Sequence, residues 1–274
     1  MDSFSLLQAV IIFVYLAGTV LVFAGPILHK ERLKSLGNAA AVAGFALHTL
    51  NIILYLSLEQ GLALTEGSFY FSLLAWSLLL IYFILWWRLR LGFLGLTAAP
   101  LALLLFVSSL ATVGTRVAMP KSLIGVFFSL HIGSLFASIS LLTMAFGAAL
   151  AFIYLEKKIK TKAKLTGLGK EMPSLNMLDK VNHWVILIGF PLYTLGLVTG
   201  FMWARQAFGR VFSWDPKEVV ALFVWFLFAL LFHQRLALGW RGRKTAVMAI
   251  WVYGFTLLSL VGVNFFVVTH HGFK

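Results

Sequence analysis

The chain has no cysteine. That absence excludes a disulfide framework, a thiolate metal site and a thiol nucleophile, so any thiol chemistry has to come from a partner or a substrate. Charge is scarce too: charged residues fill 11% of the 274 positions, where soluble chains carry about 25%. Acid is the scarcest, with 9 acidic residues against 22 basic ones. What is present is apolar, at 61% of the sequence, well above the roughly 45–50% of soluble domains. A disordered chain is excluded, and a soluble enzyme is not what this composition describes.

The apolar residues fall in eight runs, at about 5–28, 38–58, 69–87, 92–111, 122–155, 181–204, 218–234 and 245–268. Each is long enough, as a helix, to cross a hydrocarbon layer of about 30 Å. The sequence therefore predicts an all-α, polytopic integral membrane protein with eight transmembrane helices. The first run follows Met1-Asp2-Ser3 without a basic leader or a cleavage site, and reads as a retained span. Sixteen of the basic residues sort to the first, third, fifth and seventh loops, and six to the other side. By the positive-inside rule the richer side is cytoplasmic, which puts both termini outward in a bacterial cytoplasmic (inner) membrane. Residues 1–274 are expected to form a single membrane domain. Helices 1–5 occupy about 5–155, a basic cytoplasmic loop 156–180, helices 6–8 about 181–268, and an external loop 205–217. The lysine run Lys157–Lys164 has no aromatic platforms among its charges, so it reads as a solvated loop near anionic headgroups and not as a nucleic-acid surface.

Seven histidines interrupt this apolar chain: His29, His48, His131, His183, His233, His270 and His271. His29 and His183 lie at span ends, where water satisfies them. The run 122–155 would make about 51 Å of helix, more than the membrane needs. With its inner end held at Leu155 beside Lys157, His131 falls near the external interface. His270 and His271 follow the last span and emerge on that same face. Also on that face is the loop Gln206–Glu218. Asp215 there is a good N-cap, Pro216 suits the first helical position, and Glu218 completes a capping box. Capping does not account for Phe208, Phe212 and Trp214 beside Arg205 and Arg210. They serve either as interfacial anchors or as an apolar shelf with cationic partners. Two imidazoles, a flat aromatic shelf and arginines suit haem, which takes two axial histidines and pairs its propionates with guanidinium groups. Zinc competes for the histidines but has no use for the aromatics. His48 falls mid-span and His233 near the cytoplasmic end of the seventh helix, with Arg235 just beyond. Each is a functional intramembrane group or a hydrogen-bonded core histidine.

The segment Gly209-Arg-Val-Phe-Ser-Trp-Asp-Pro-Lys-Glu218 resembles the tryptophan-rich "WWD" motif of the haem-handling cytochrome c assembly proteins, the CcsA, CcmC and CcmF group, with the related HemX proteins. Phe232-His-Gln-Arg235 followed by Gly239-Trp-Arg-Gly242 is similar to the CcsA stretch after that motif. Val263-Asn264 with His271, Ser129-Leu-His131, and Glu66 with Ser72-Leu-Leu-Ala-Trp76 resemble further family segments. Together they cover most of residues 60–274.

The resemblance implies that His131 and His271 are axial ligands of an external haem, with His270 able to substitute. It implies a haem shelf of Trp214, Phe212 and Asp215 with the loop around them. It also makes His233 a transmembrane ligand for haem in transit, with His48 its candidate mate. The cargo would be haem b. The partners would be a CcsB-type membrane protein, an apocytochrome c and a thiol-reducing protein. The chain itself would be at most the haem-presenting subunit of a cytochrome c synthase (haem lyase). Against the family pattern W-G-x-Y-W-x-W-D-P-K-E, this chain has Phe208, Val211 and Phe212 at the first Trp, the Tyr and the middle Trp. Phenylalanine keeps a π-face and loses the indole N–H. That departure leans toward a HemX-like protein, which handles haem or regulates tetrapyrrole synthesis without an apocytochrome. A di-haem electron-transfer subunit would place paired histidines on the same two helices, a pattern absent here. A secondary transporter would show broken helices or repeats.

Overall fold

The computed structural model describes residues 3–58, 64, 66–114, 125 and 128–263. Eight helices among them are long and apolar enough to cross a membrane. They are built on α1 (Ser3–Leu28), α2 (Glu31–Leu58), α3 (Gly67–Leu89), α4 (Gly95–Leu110), α5 (Gly133–Lys160), α6 (Leu175–Phe208), α7 (Pro216–Leu236) and α8 (Arg243–Leu257), the fourth span beginning in the turn at Gly92 and the eighth running on to Gly262. Several run past the apolar stretches. α2 takes in Arg32 and Lys34, and α5 carries the lysines to Lys160 as helix, so the basic connection narrows to 161–174, with one helical turn at Leu168–Glu171. Long basic side chains at a helix end can snorkel to water, so apolarity ends before the helix does.

The chain divides into two compact units. The first holds residues 1–114 with 154–173. In it α1 packs against α2 and α4, and α3 against α4. The approach of α1 and α2 is close because glycine lies where they meet: a Cβ on Gly25 would sit 2.8 Å from the backbone nitrogen of Lys34, and one on Gly37 3.0 Å from that of Val22. Small residues at such crossings replace the hydrophobic drive that lipid cannot supply.

The second unit holds residues 115–153 with 174–274. α5 is the most buried of the eight spans, and the residues it buries include a small or hydroxylated set: Ser134, Ser138, Ala145, Ala148 and Ala149. Ser138 donates to the Gly189 carbonyl of α6 at 2.7 Å, and Phe146 stacks on Tyr253 of α8 at 4.5 Å. Two stretches are wound wider than an α-helix. Phe128–Ile132 is a π-helical turn that opens α5, and Leu258–Val263 is another that ends α8. Such turns shift the register of side chains and recur at functional sites.

Candidate functional site

His131 sits in the π-turn at the head of α5 and leans onto α6. Its Nδ1 lies 2.6 Å from the Gly196 carbonyl oxygen. A carbonyl can only accept, so Nδ1 carries the proton and, in the neutral ring, Nε2 carries the lone pair. That tautomer is the one a metal-ligating histidine needs, with its second nitrogen steered by a backbone carbonyl. The ring reaches α6 because two glycines one turn apart make room. A Cβ on Gly200 would stand 2.5 Å from His131 Cε1 and 2.9 Å from Nδ1, and one on Gly196 2.5 Å from Leu135. Gly196 and Gly200 were not singled out in the sequence. The spacing Gly-x-x-x-Gly was the signal that could have found them.

The residue after Gly200 continues the site. Phe201 meets Phe212 edge to face at 6.0 Å, and Phe212 meets Trp214 edge to face at 5.0 Å. α6 then closes at Gly209, whose positive φ of 72° and bond to the Arg205 carbonyl make a left-handed cap. Arg205 and Arg210 are exposed on either side of it.

The loop that follows is pinned at both sides of one tryptophan. Asp215 is the N-cap of α7, accepting from Lys217 N at 2.9 Å, with Pro216 at the first position. Glu218 reaches back beyond Asp215 to Ser213, accepting from its N–H at 2.7 Å and its hydroxyl at 3.1 Å. Between these anchors Trp214 takes φ 60°, a region unfavourable for a bulky residue. Its indole stands 78% exposed. The loop thus stores strain to hold one aromatic face outward.

His270 and His271 lie outside the described residues, and so does the side chain of Phe208. Among the described residues no cluster of three or more His, Asp or Glu comes together, as a zinc site would require.

His233 is exposed on α7, in line with Val219, Phe223, Phe226 and Leu230. Those spacings of four, three, four and three trace the outward stripe of a helix. Two positions on, Arg235 points the other way and is 8% exposed. The sequence reads it as a loop charge, but it is the centre of a clamp. Both terminal nitrogens bond the Asp179 carboxylate at 2.8 Å, Nε reaches His183 Nδ1 at 3.3 Å, and the guanidinium also bonds the Trp240 carbonyl at 2.9 Å. Asp179 in turn accepts from Gly242 N at 2.7 Å. The similarity noted at Phe232–Gly242 therefore includes a tie between α6, α7 and the turn into α8.

His48 is fully buried in the first unit, its Nδ1 2.9 Å from the Tyr15 hydroxyl and its Nε2 2.9 Å from Ser72 Oγ. One nitrogen donates and the other accepts, and Phe106 packs on the ring at 4.5 Å. For a metal to reach it, one of those bonds would have to break.

Comparison with known proteins follows the same residues. A family model described as cytochrome c assembly protein matches residues 62–271. The chain is similar to the cytochrome c biogenesis protein CcsA of Mesostigma viride, 29% identical over 216 residues that cover 70% of each protein. It is similar to the CcsA of Trieres chinensis, 29% identical over 225 residues, 70% of this chain and 71% of that one. With the CcsA of a Synechocystis species the match is 41% over 112 residues, which is 40% of this chain and 33% of that protein.

Proposed function

The chain belongs to the cytochrome c assembly protein family, and on that premise we propose that it takes haem as its substrate and presents it for covalent attachment to an apocytochrome c. The observation that carries this reading is the His131 imidazole, held by the Gly196 carbonyl in the tautomer that offers Nε2 to iron. The second axial ligand is His271, or His270 beside it, from the segment after the Leu258–Val263 turn. Trp214, backed by Phe212, offers the porphyrin its face, while Asp215 holds the loop to the head of α7. Arg205 and Arg210 flank that loop and pair with the propionates. The balance of basic residues supports an outward position for this face, in our reading that of a bacterial cytoplasmic membrane. His233, on the outward stripe of α7, takes haem b in transit where a CcsB-type partner can cover it. His48 receives no iron in this reading, because both its nitrogens are already bonded within the first unit.

The chemistry is positioning. A thiol S–H of the apocytochrome adds across each haem vinyl group, forming a C–S bond at one carbon and placing the hydrogen on the other. Both thiols must be reduced, hence a thiol-reducing partner, and a chain without cysteine cannot divert them. Fixing haem against a docked peptide makes the encounter effectively unimolecular. The chain is in this sense the haem-presenting subunit of a synthase.

The experiment is restoration of covalent c-type cytochromes, by haem stain, in a strain lacking its synthase. Restoration by the wild type with its partner, and failure of His131→Ala, is the expected result. A second reading is favoured by Phe212, which meets Trp214 without an indole N–H to dock a peptide: a HemX-like protein that handles haem alone. Unaltered c-type cytochromes with changed haem or porphyrin levels after deletion would choose it.

A further inference from the structure

The ends of α1, α2, α3 and α4 in the first unit border a half-open cavity of about 370 Å³. Part of its wall is aromatic. Phe4 stacks on Tyr55 at 5.6 Å, and Tyr55 on Phe69 at 5.9 Å. The polar part includes Asn51, Glu66, Ser68 and Ser72. Two of these are not explained by the fold. The Glu66 carboxylate accepts from the Tyr55 hydroxyl and from Ser68 Oγ at 3.1 Å, both neutral donors. Among the described residues no basic side chain pairs with it. Asn51 is 4% exposed, and its Nδ2 has no acceptor. Buried donors are nearly always satisfied, so an orphan donor on a residue that lines a cavity points to something that fills it.

These groups lie in two layers. Asn51 and Tyr55 are four apart on α2, as are Ser68 and Ser72 on α3, so each pair is separated by one helical turn, about 5–6 Å. Tyr55, Glu66 and Ser68 make the layer nearer the helix ends. Asn51 and Ser72 make the deeper one, floored by His48 on the Ser72 hydroxyl. A carboxylate and aromatic rings above, with an amide donor below and no cation among the described residues of the lining, suit a ligand that is positive at one end and an acceptor at the other.

We propose that this cavity binds a primary ammonium compound, its nitrogen on Glu66 beside the Tyr55–Phe69 stack and an oxygen of the same molecule on the Asn51 amide. The volume falls at the small end of ligand pockets, about 300–1,000 Å³. Two sources share this chemistry: an aminophospholipid headgroup, whose phosphate oxygens lie deeper in the membrane than its ammonium, and a soluble amino alcohol. The site shares no residue with the His131 region, so it stands or falls apart from the haem reading.

The test is isothermal titration of the purified full chain in detergent with ethanolamine, glycerophosphoethanolamine and glycerophosphoglycerol. The proposal expects saturable binding of at least one ammonium compound and none of glycerophosphoglycerol. Glu66→Gln weakens it about ten-fold or more. Asn51→Leu weakens it too while leaving the melting temperature equal or higher, because an unsatisfied donor has been removed. Tighter binding of glycerophosphoethanolamine, with a higher melting temperature in phosphatidylethanolamine than in phosphatidylglycerol nanodiscs, identifies the lipid. Ethanolamine binding without that lipid dependence identifies the soluble amine. No saturable binding of either ammonium compound, or wild-type affinity in both variants, overturns the proposal and leaves water as the occupant. Haem absorbance of both variants stays that of the wild type.

Discussion

Gly200 is where one methyl group acts most directly on His131, the proposed iron ligand. A Cβ there would lie 2.5 Å from His131 Cε1, and the ring cannot slide away without giving up the Gly196 carbonyl. Gly200→Ala is expected to cost about 1–3 kcal/mol of local packing and to lower the haem-to-protein ratio, by absorbance, toward that of His131→Ala. Gly254→Ala, whose added carbon would meet nothing within 4 Å, is expected to keep wild-type haem. Trp214 tests the opposite sign. Its left-handed backbone costs about 1–2 kcal/mol, so Trp214→Gly is expected to hold or raise the melting temperature while losing haem; a clear fall in melting temperature would contradict the strain. At this scale His131 was legible as a polar residue in an apolar run. Its seat was not, because the ring's partner lies 65 residues away in the chain and glycines four apart recur in membrane helices.

At the scale of elements, the head of α7 and its tail were legible to different degrees. Asp215 and Pro216 announced the helix start, and both act as predicted. The partner of Glu218 could not be read, because it follows from the left-handed Trp214. There the chain doubles back and presents Ser213 to the carboxylate. At the tail, Arg235 reads as one more basic loop residue, since sequence does not reveal that Asp179 lies opposite. Breaking a buried pair by removing one partner costs about 3–5 kcal/mol, whereas replacing both by apolar groups is often close to neutral. Arg235→Ala is therefore expected to lower denaturant stability in detergent by about that amount, and Arg235→Met combined with Asp179→Leu to recover most of it. Equal losses in the single and double variants would deny the clamp.

For the whole molecule, eight spans were legible because apolar runs near twenty residues have few other uses. Their lengths were not, since snorkelling lysines extend α5 to Lys160. Moving Arg235 into the interior leaves fifteen basic residues on the predicted cytoplasmic side against six, so the charge balance still predicts the same orientation. A chain free of cysteine allows this to be checked with single labels. In intact cells a membrane-impermeant maleimide is expected to label Arg210→Cys and not Lys164→Cys; the reverse pattern would invert the molecule. The account as a whole rests on iron held between His131 and the carboxyl-terminal histidines. The direct measurement is the optical spectrum of purified protein, wild type beside His131→Ala and His271→Ala. A six-coordinate haem signal in the wild type, weakened or lost in both variants, is the predicted result, and spectra unchanged by both substitutions would contradict it.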